Sequence, residues 1–337
     1  MMSPSSSPFF IVSAPRSGST LLRLIMDAHP ALAVPPPAWL FDMIYPYVYS
    51  YGDLSEVKNL ASLAEDMLEA PTVKKWPVRP TPAELVAAVE VPTFAGVYAA
   101  LHRRYAEATG KTRWGEKTPR NGFWIDEILA EFPGAKFIHI LRDGRDMTVD
   151  IAESVLLPYS LYCSALMWRD SVTAIRESAG RLGPDVVYEV RYEDLCADAE
   201  KALRGVCAFL GEDFAPEMLT HHEGSAAQQW SETPLHARTS RPINTDFCGI
   251  FRTRLGAGDL AQVESVIGDL LVECGYDRAT EPKDIPPRLA AQYQISDTVT
   301  NPDNVTFKRW HAERRRERLA RGVFTHEDRD SLMWSVD

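Results

Sequence analysis

Residues 9–22, FFIVSAPRSGSTLL, constrain the fold of this chain more than any other stretch. A short apolar run from Phe9 to Ala14 meets Pro15-Arg16-Ser17-Gly18-Ser19-Thr20, and an amphipathic run follows. The pattern predicts a buried strand over 9–14, a tight turn, and a helix over 21–29 closed by Pro30. Such a turn aims backbone N–H groups and a helix dipole at one point, which suits a phosphate-like anion. Arg16 adds a permanent charge with a forked donor set. Ser17, Ser19 and Thr20 add hydroxyls, and Gly18 lets the backbone approach closely. The alternative is a Ser/Gly turn that binds nothing.

The loop is not a Walker A sequence, which needs G-x-x-x-x-G-K-[ST] with a lysine on the β- and γ-phosphates and a hydroxyl on Mg²⁺. Here a single glycine is followed by Ser19, and the cation precedes it at Arg16. The loop is therefore suited to a phosphate-like group without a metal.

Lys136–Leu141 (KFIHIL) and Val186–Val190 predict two more strands. Helical periods fall over 121–132, 144–155, 159–182, 198–210 and 259–274. Strands separated by helices point to an α/β fold with a parallel sheet, whose ligands bind beyond the C-terminal strand ends. The Arg16 loop, Arg142 and Arg191-Tyr192 all fall at such ends, so one site is expected to collect them. A P-loop NTPase more often offers an aspartate at such a strand end, to hold Mg²⁺. Arg142 there reads as a second anion position, the alternative being an ion pair with Asp143 or Asp146.

Residues 31–112 read as a helical insertion. A proline run at 35–37 leads into an irregular aromatic stretch to Gly52, and helices follow over 54–68, 82–90 and 94–109. Trp114–Arg120 (WGEKTPR) reads as a polar loop. Tyr45, Tyr47, Tyr49 and Tyr51 recur every second residue and, if extended, would line one face as a platform for a flat aromatic, a sugar or an acyl chain. The alternative is ordinary packing or a homodimer contact. Residues 1–8 form a Ser/Pro-rich lead-in expected to be disordered, 215–256 carry few regular signals, and 280–306 read as loop. Lys308–Arg321 holds seven Lys/Arg against two Glu, either a solvated helix face or a surface for an acidic partner.

A formal net charge of −11 argues against a general nucleic-acid binder, so anionic ligands must be met by local basic clusters. The five cysteines are scattered and lack C-x-x-C spacing, which fits reduced thiols and a cytoplasmic protein. No stretch approaches the length of a membrane span, and the N-terminus has no secretion-signal pattern.

These residues together resemble the sulfotransferase family that uses 3′-phosphoadenosine 5′-phosphosulfate (PAPS), in its tyrosylprotein-sulfotransferase-like branch with bacterial relatives. The resemblance is carried by Pro15 through Leu22 with Asp27-Ala28-His29-Pro30, by Gly115-Glu116-Lys117-Thr118-Pro119, and by Lys136 through Arg145. It continues in Arg191-Tyr192-Glu193-Asp194-Leu195, Phe209-Leu210-Gly211, His221-His222-Glu223, Pro242-Ile243-Asn244 and Gly275-Tyr276-Asp277. It covers about residues 9–278, leaving 31–112 as an acceptor-side insertion and 279–337 as a C-terminal extension. It implies a P-loop-NTPase-like central parallel sheet flanked by helices, and PAPS as co-substrate without a metal. The activity implied is transfer of a sulfuryl group to a hydroxyl or amine of a small-molecule, glycan or peptide acceptor.

The roles implied run as follows. Arg16 through Thr20 cradle the 5′-phosphosulfate, and Arg142 binds the 3′-phosphate. Tyr192 contacts the nucleotide, unless it is a core tyrosine. Lys117 sits near the bridging oxygen, unless it is a solvated lysine on a turn. Arg241 and Arg252 close over the nucleotide, unless they are surface cations. Two departures stand out. Asp150 occupies the position, eight residues after Arg142, where the family usually has serine. A carboxylate there repels a phosphate, so it points away, is compensated by a basic residue, or weakens 3′-phosphate selectivity. The family's catalytic glutamate aligns near Pro36, which cannot act as a base. Asp42 is the nearest carboxylate after the proline run and the candidate base, unless it is a surface residue, with Glu116, His221 and His222 as rivals. The alternative functions are a P-loop kinase acting on a small molecule and an inactive nucleotide-binding scaffold.

Overall fold

The structure, a computed structural model, describes residues 7–154, 160–224, 227–228, 239–281, 283–300 and 313. In chain order the regular elements are β1 (Phe9–Val12), α1 (Ser19–Asp27), β2 (Leu32–Ala33), α2 (Leu40–Met43), α3 (Val57–Glu69), α4 (Pro82–Ala87), α5 (Phe94–Ala108) and β3 (Arg113–Lys117). There follow α6 (Ile125–Glu131), β4 (Lys136–Leu141), α7 (Gly144–Ala152), α8 (Leu161–Leu182), β5 (Val187–Arg191), α9 (Tyr192–Ala197) and α10 (Ala199–Leu210). The last three are α11 (Phe251–Arg254), α12 (Ala257–Glu273) and α13 (Pro287–Thr300). The described residues fall into two compact units, one from Met1–Pro30 with Pro119–Asn301, the other around Ala31–Thr118.

In the first unit β4 pairs in parallel with both β1 and β5, with Val12 opposite His139 and Leu141 opposite Arg191. All four residues of β1, and five of six in β4, are buried. That is why β1 reads as an unbroken apolar run, while in β4 the buried His139 is met by the Glu189 carboxylate at 3.1 Å. The expected α/β fold with a parallel sheet is the fold found. Because the three strands run the same way, Val12, Leu141 and Arg191 all end at one sheet edge. There the chain delivers residues 13–18, Arg142 and Tyr192.

Helices α7, α8 and α12 bury Met147, Ile151, Trp168, Val172, Val263 and Ile267 in one cluster with Leu141. Their approach is closest at Gly144, where an added Cβ would lie 2.6 Å from Cδ2 of Trp168 and 2.7 Å from Cδ1 of Ile267. The indole N–H of Trp168 donates to the Arg142 carbonyl at 2.9 Å, fixing the backbone where β4 ends. Helix α10 has the predicted ends: Asp198 caps it by accepting from the Lys201 N–H, and Gly211 closes it at φ +77°.

The second unit pairs β2 with β3 in parallel, Leu32 opposite Arg113. It packs an aromatic core of Phe41, Phe94, Tyr98, His102 and Trp114, in which the Tyr98 and His102 rings stack at 4.4 Å.

Several expectations are corrected. The expected polar loop over 114–120 begins as β3, buried at every position. Its charged residues hid it; of these, Glu116 is met inside the fold by the Ala38 N–H and the Thr118 hydroxyl. The irregular stretch to Gly52 holds β2, α2 and a 3-10 turn over Tyr45–Tyr51. That turn replaces the extended platform: three residues per turn scatter a two-residue repeat around the axis. Tyr51 is buried with its hydroxyl donating to Asp66 (2.7 Å), Tyr45 packs on Phe41 and Phe94, and Tyr47 and Tyr49 face solvent. The expected loop over 280–306 contains α13, which starts on Pro287, a proline placed where a helix tolerates it. In the lead-in Ser7 and Pro8 are buried, and residues 1–6 lie outside those described. So does the basic segment 308–321, apart from Glu313.

Candidate active site

The loop between β1 and α1 turns on two left-handed residues, Arg16 at φ +60° and Gly18 at φ +92°. A non-glycine residue rarely adopts that conformation, and it clusters at ligand clamps. Gly18 is the residue before α1, and no side chain caps that helix. Ser17 is 1% exposed, and its hydroxyl has no hydrogen-bond partner. A buried donor without a partner costs about 1–3 kcal/mol. Beside an uncapped helix N-terminus, an anion supplies what both lack.

Tyr192, the first residue of α9, closes the other side of the loop. A Cβ at Gly18 would lie 2.4 Å from its Cδ2. The ring also carries the Arg142 guanidinium, 4.9 Å from its centroid. Burial pushes the Tyr192 phenol up, so it stays neutral at physiological pH. The neighbouring Cys248 thiol, and after it the Tyr192 hydroxyl, hold the Cys196 thiol below the usual range, against the effect of burial.

Arg142 is 2% exposed. Its Nη1 donates to the Arg16 carbonyl at 2.8 Å and to Oδ2 of Asp150 at 2.5 Å. Its Nη2 donates to the Phe247 carbonyl at 2.8 Å. The other oxygen of Asp150 lies 3.8 Å from Nη2 of Arg16. Asp150 therefore does not point away; one carboxylate faces both arginines. The ion pair foreseen between Arg142 and Asp143 or Asp146 is made to Asp150 instead. Asp143 is engaged by Arg145, which also reaches Glu264 and the Asp277 carbonyl. Asp146 accepts from the Gly249 N–H at 2.6 Å and the Phe251 N–H at 2.9 Å. Burial pushes the Asp146 carboxyl up, against those two bonds. The segment 247–251 is thus held by two side chains, Arg142 just after β4 and Asp146 on α7.

Arg16, Ser17, Gly18, Arg142 and Tyr192 come together in the first unit, and Ser19 and Thr20 begin α1 beside them. Arg252 is exposed on α11, its guanidinium 4.8 Å from the Phe251 ring centroid, and Arg241 is exposed further up the same segment. His221 is buried with both ring nitrogens lacking partners; burial, and then His222, lower its pKa to about 4. It is therefore neutral at physiological pH.

Lys117 and Asp42 belong to the second unit. Lys117 ends β3 and is 4% exposed, so it is no solvated turn residue. Asp42 lies part-buried in the single turn of α2. Glu116 is buried and accepts from the Ala38 N–H at 3.2 Å and the Thr118 hydroxyl at 2.6 Å. The Thr118 hydroxyl accepts from the Trp39 N–H at 3.1 Å, so the end of β3 clamps the chain just past the proline run. Burial pushes the Glu116 carboxyl up to about 7.

The chain gave no signal for the thiol pair or for Asp146, because their partners stand about 50 and 100 residues away. Among the described residues no cluster of His, Cys, Asp and Glu could hold a metal ion, and no helix is long and apolar enough to cross a membrane.

A model of the sulfotransferase family matches residues 8–216. The chain is 23% identical over 295 residues to the nodulation protein NoeE of Sinorhizobium fredii, covering 81% of this chain and 66% of NoeE. It is 23% identical over 284 residues to the protein-tyrosine sulfotransferase of Drosophila melanogaster, covering 82% of this chain and 52% of that protein. It thus spans less than two thirds of the length of either relative. Among solved structures, the sulfotransferase domain from the Synechococcus PCC 7002 olefin synthase superposes with a TM-score of 0.57 and 25% identity. That match covers 81% of this chain and 96% of the other.

Proposed function

Since the chain belongs to the sulfotransferase family, we propose that it moves a sulfuryl group from PAPS to a hydroxyl or amine of an acceptor. The observation that carries this reading is the loop before α1. A left-handed Arg16, an unpartnered buried Ser17 hydroxyl and an uncapped helix N-terminus stand together against Tyr192. Those groups fit a 5′-phosphosulfate. Arg142 fits a second phosphate less well, because Asp150 already engages it.

The donor, when bound, supplies a sulfuryl group on a phosphate leaving group. Arg16 and the first N–H groups of α1 hold that phosphate and take up the charge that builds on it. Lys117 serves the bridging oxygen. Tyr192 orients the nucleotide, and Arg241 and Arg252 cover it. An alcohol acceptor needs its proton removed. Asp42 is the base proposed here. Glu116 is its strongest rival, since a carboxyl pushed up to about 7 is poised for proton transfer near neutral pH.

Residues 9–278 form the sulfotransferase domain in this reading, with 31–112 on the acceptor side. The acceptor is a small molecule, glycan or peptide. All five cysteines are free thiols, which supports work in the reducing cytoplasm.

Incubation with sulfur-35-labelled PAPS and an acceptor panel tests the reading. Label transfer is expected, and unlabelled adenosine 3′,5′-bisphosphate (PAP) is expected to suppress it. A preference for ATP–Mg²⁺ over PAP in calorimetry would replace the reading with a small-molecule kinase. No binding of either would leave a scaffold.

A further inference from the structure

Asp150 lies between the two arginines at the sheet edge. It bonds Arg142 at 2.5 Å, faces Arg16 at 3.8 Å, and is itself 7% exposed. Resting on the reading of the Arg16 loop as a 5′-phosphosulfate site, we propose that Asp150 determines donor specificity. It keeps the Arg142 position neutralised, so that a phosphate on the ribose 3′ oxygen adds little affinity. The donors accepted are then adenosine 5′-phosphosulfates with or without that phosphate.

Three features of Arg142 support this. Both N–H groups of its Nη1 are spent, one on Asp150 and one on the Arg16 carbonyl. Its Nη2 is held by the Phe247 carbonyl. Its Nε is buried, out of reach of solvent. A bidentate grip on a phosphate needs two parallel N–H groups of one arginine. Here a carboxylate has one of them. A phosphate that approached Arg142 would also meet Asp150 at close range, and in a partly dry site like charges repel strongly. Arg16 is placed differently. Its contact with Asp150 is longer, and its side chain is more exposed. The loop beside it offers the Ser17 hydroxyl and the α1 N-terminus. A single phosphate group is thus well served, and a second is not.

The experiment is calorimetric titration of the full chain with PAP and with adenosine 5′-monophosphate (AMP), for wild type, Asp150→Asn and Asp150→Ser. Wild type is expected to bind the two nucleotides within about threefold of each other. Both variants are expected to tighten PAP while leaving AMP nearly unchanged, raising the affinity ratio to about tenfold or more. The ratio is the readout because a merely structural loss would weaken both nucleotides alike. Asp150→Asn keeps the shape of the side chain, and Asp150→Ser guards against one variant failing to fold. Wild type preferring PAP by much more than tenfold overturns the proposal while leaving the sulfotransferase reading intact, and so does a ratio unmoved in both variants. Failure of wild type to bind either nucleotide removes the reading and the proposal together.

Discussion

Gly18 and Tyr192 are in such close contact that a methyl group at Gly18 would lie 2.4 Å from Cδ2 of the tyrosine ring. The φ of +92° there disfavours any side chain as well. Gly18→Ala is therefore expected to cost about 1–3 kcal/mol of stability through backbone strain and overpacking. It should also weaken PAP binding by at least about tenfold, because the loop must shift away from the ring. Thermal melts and calorimetry check both. A variant with wild-type binding would show that the loop does not need this contact.

Arg16 and Arg142 should separate cleanly under mutation. Arg142→Met leaves Asp150 buried with its principal partner gone, a loss of about 3–5 kcal/mol. Arg16→Ala removes a longer, more exposed contact and is expected to cost less than about 1 kcal/mol. Its turnover should nonetheless fall by about 10²–10³ if the loop stabilises the leaving phosphate. Urea denaturation and steady-state rates measure the two effects. Equal stability losses would contradict the burial argument.

Lys117→Ala is expected to lower turnover by about 10²–10³ while donor affinity stays within about threefold. Because Lys117 is buried, Lys117→Met serves as a bulk-preserving companion. Unchanged turnover in the folded methionine variant would strike Lys117 from the mechanism.

Glu116 gives a pH signature. Its carboxyl is pushed from an ordinary 4.5 up to about 7. Between those values the folded state holds the proton more tightly than the unfolded state does. Stability therefore falls as pH rises through that window and stays lowered above it. The loss reaches at most about 3 kcal/mol. Glu116→Gln keeps an acceptor for Ala38 and Thr118 and carries no charge to bury. It should melt above wild type at pH 8 and with wild type near pH 4. A gap independent of pH would mean that the carboxyl is not held protonated.

The sequence was most legible where one local rule decided the outcome. Lys136–Leu141 carries Phe137, two β-branched isoleucines and Leu141, and it forms a strand with those bounds. Asp198 and Gly211 bracket α10 because capping chemistry is local. The loop before α1 could be read from its residue types, although α1 begins two residues earlier than expected. Legibility ended where distant partners decide. RWGEK is a strand because β2 and the Glu116–Thr118 clamp satisfy it, and neither is visible in five residues. The tyrosine repeat misled because a period of two specifies a face only in an extended chain. Asp150 was visible as a departure, but its choice among three outcomes needed the positions of two arginines far away in sequence.

The segment 247–251 is held by side chains more than a hundred residues upstream: Arg142 takes the Phe247 carbonyl, and Asp146 takes the Gly249 and Phe251 amides. No sheet ladder fixes its position. Its place is therefore set by two anchor side chains, and loss of either would release the segment and loosen the carbonyl that holds Nη2 of Arg142.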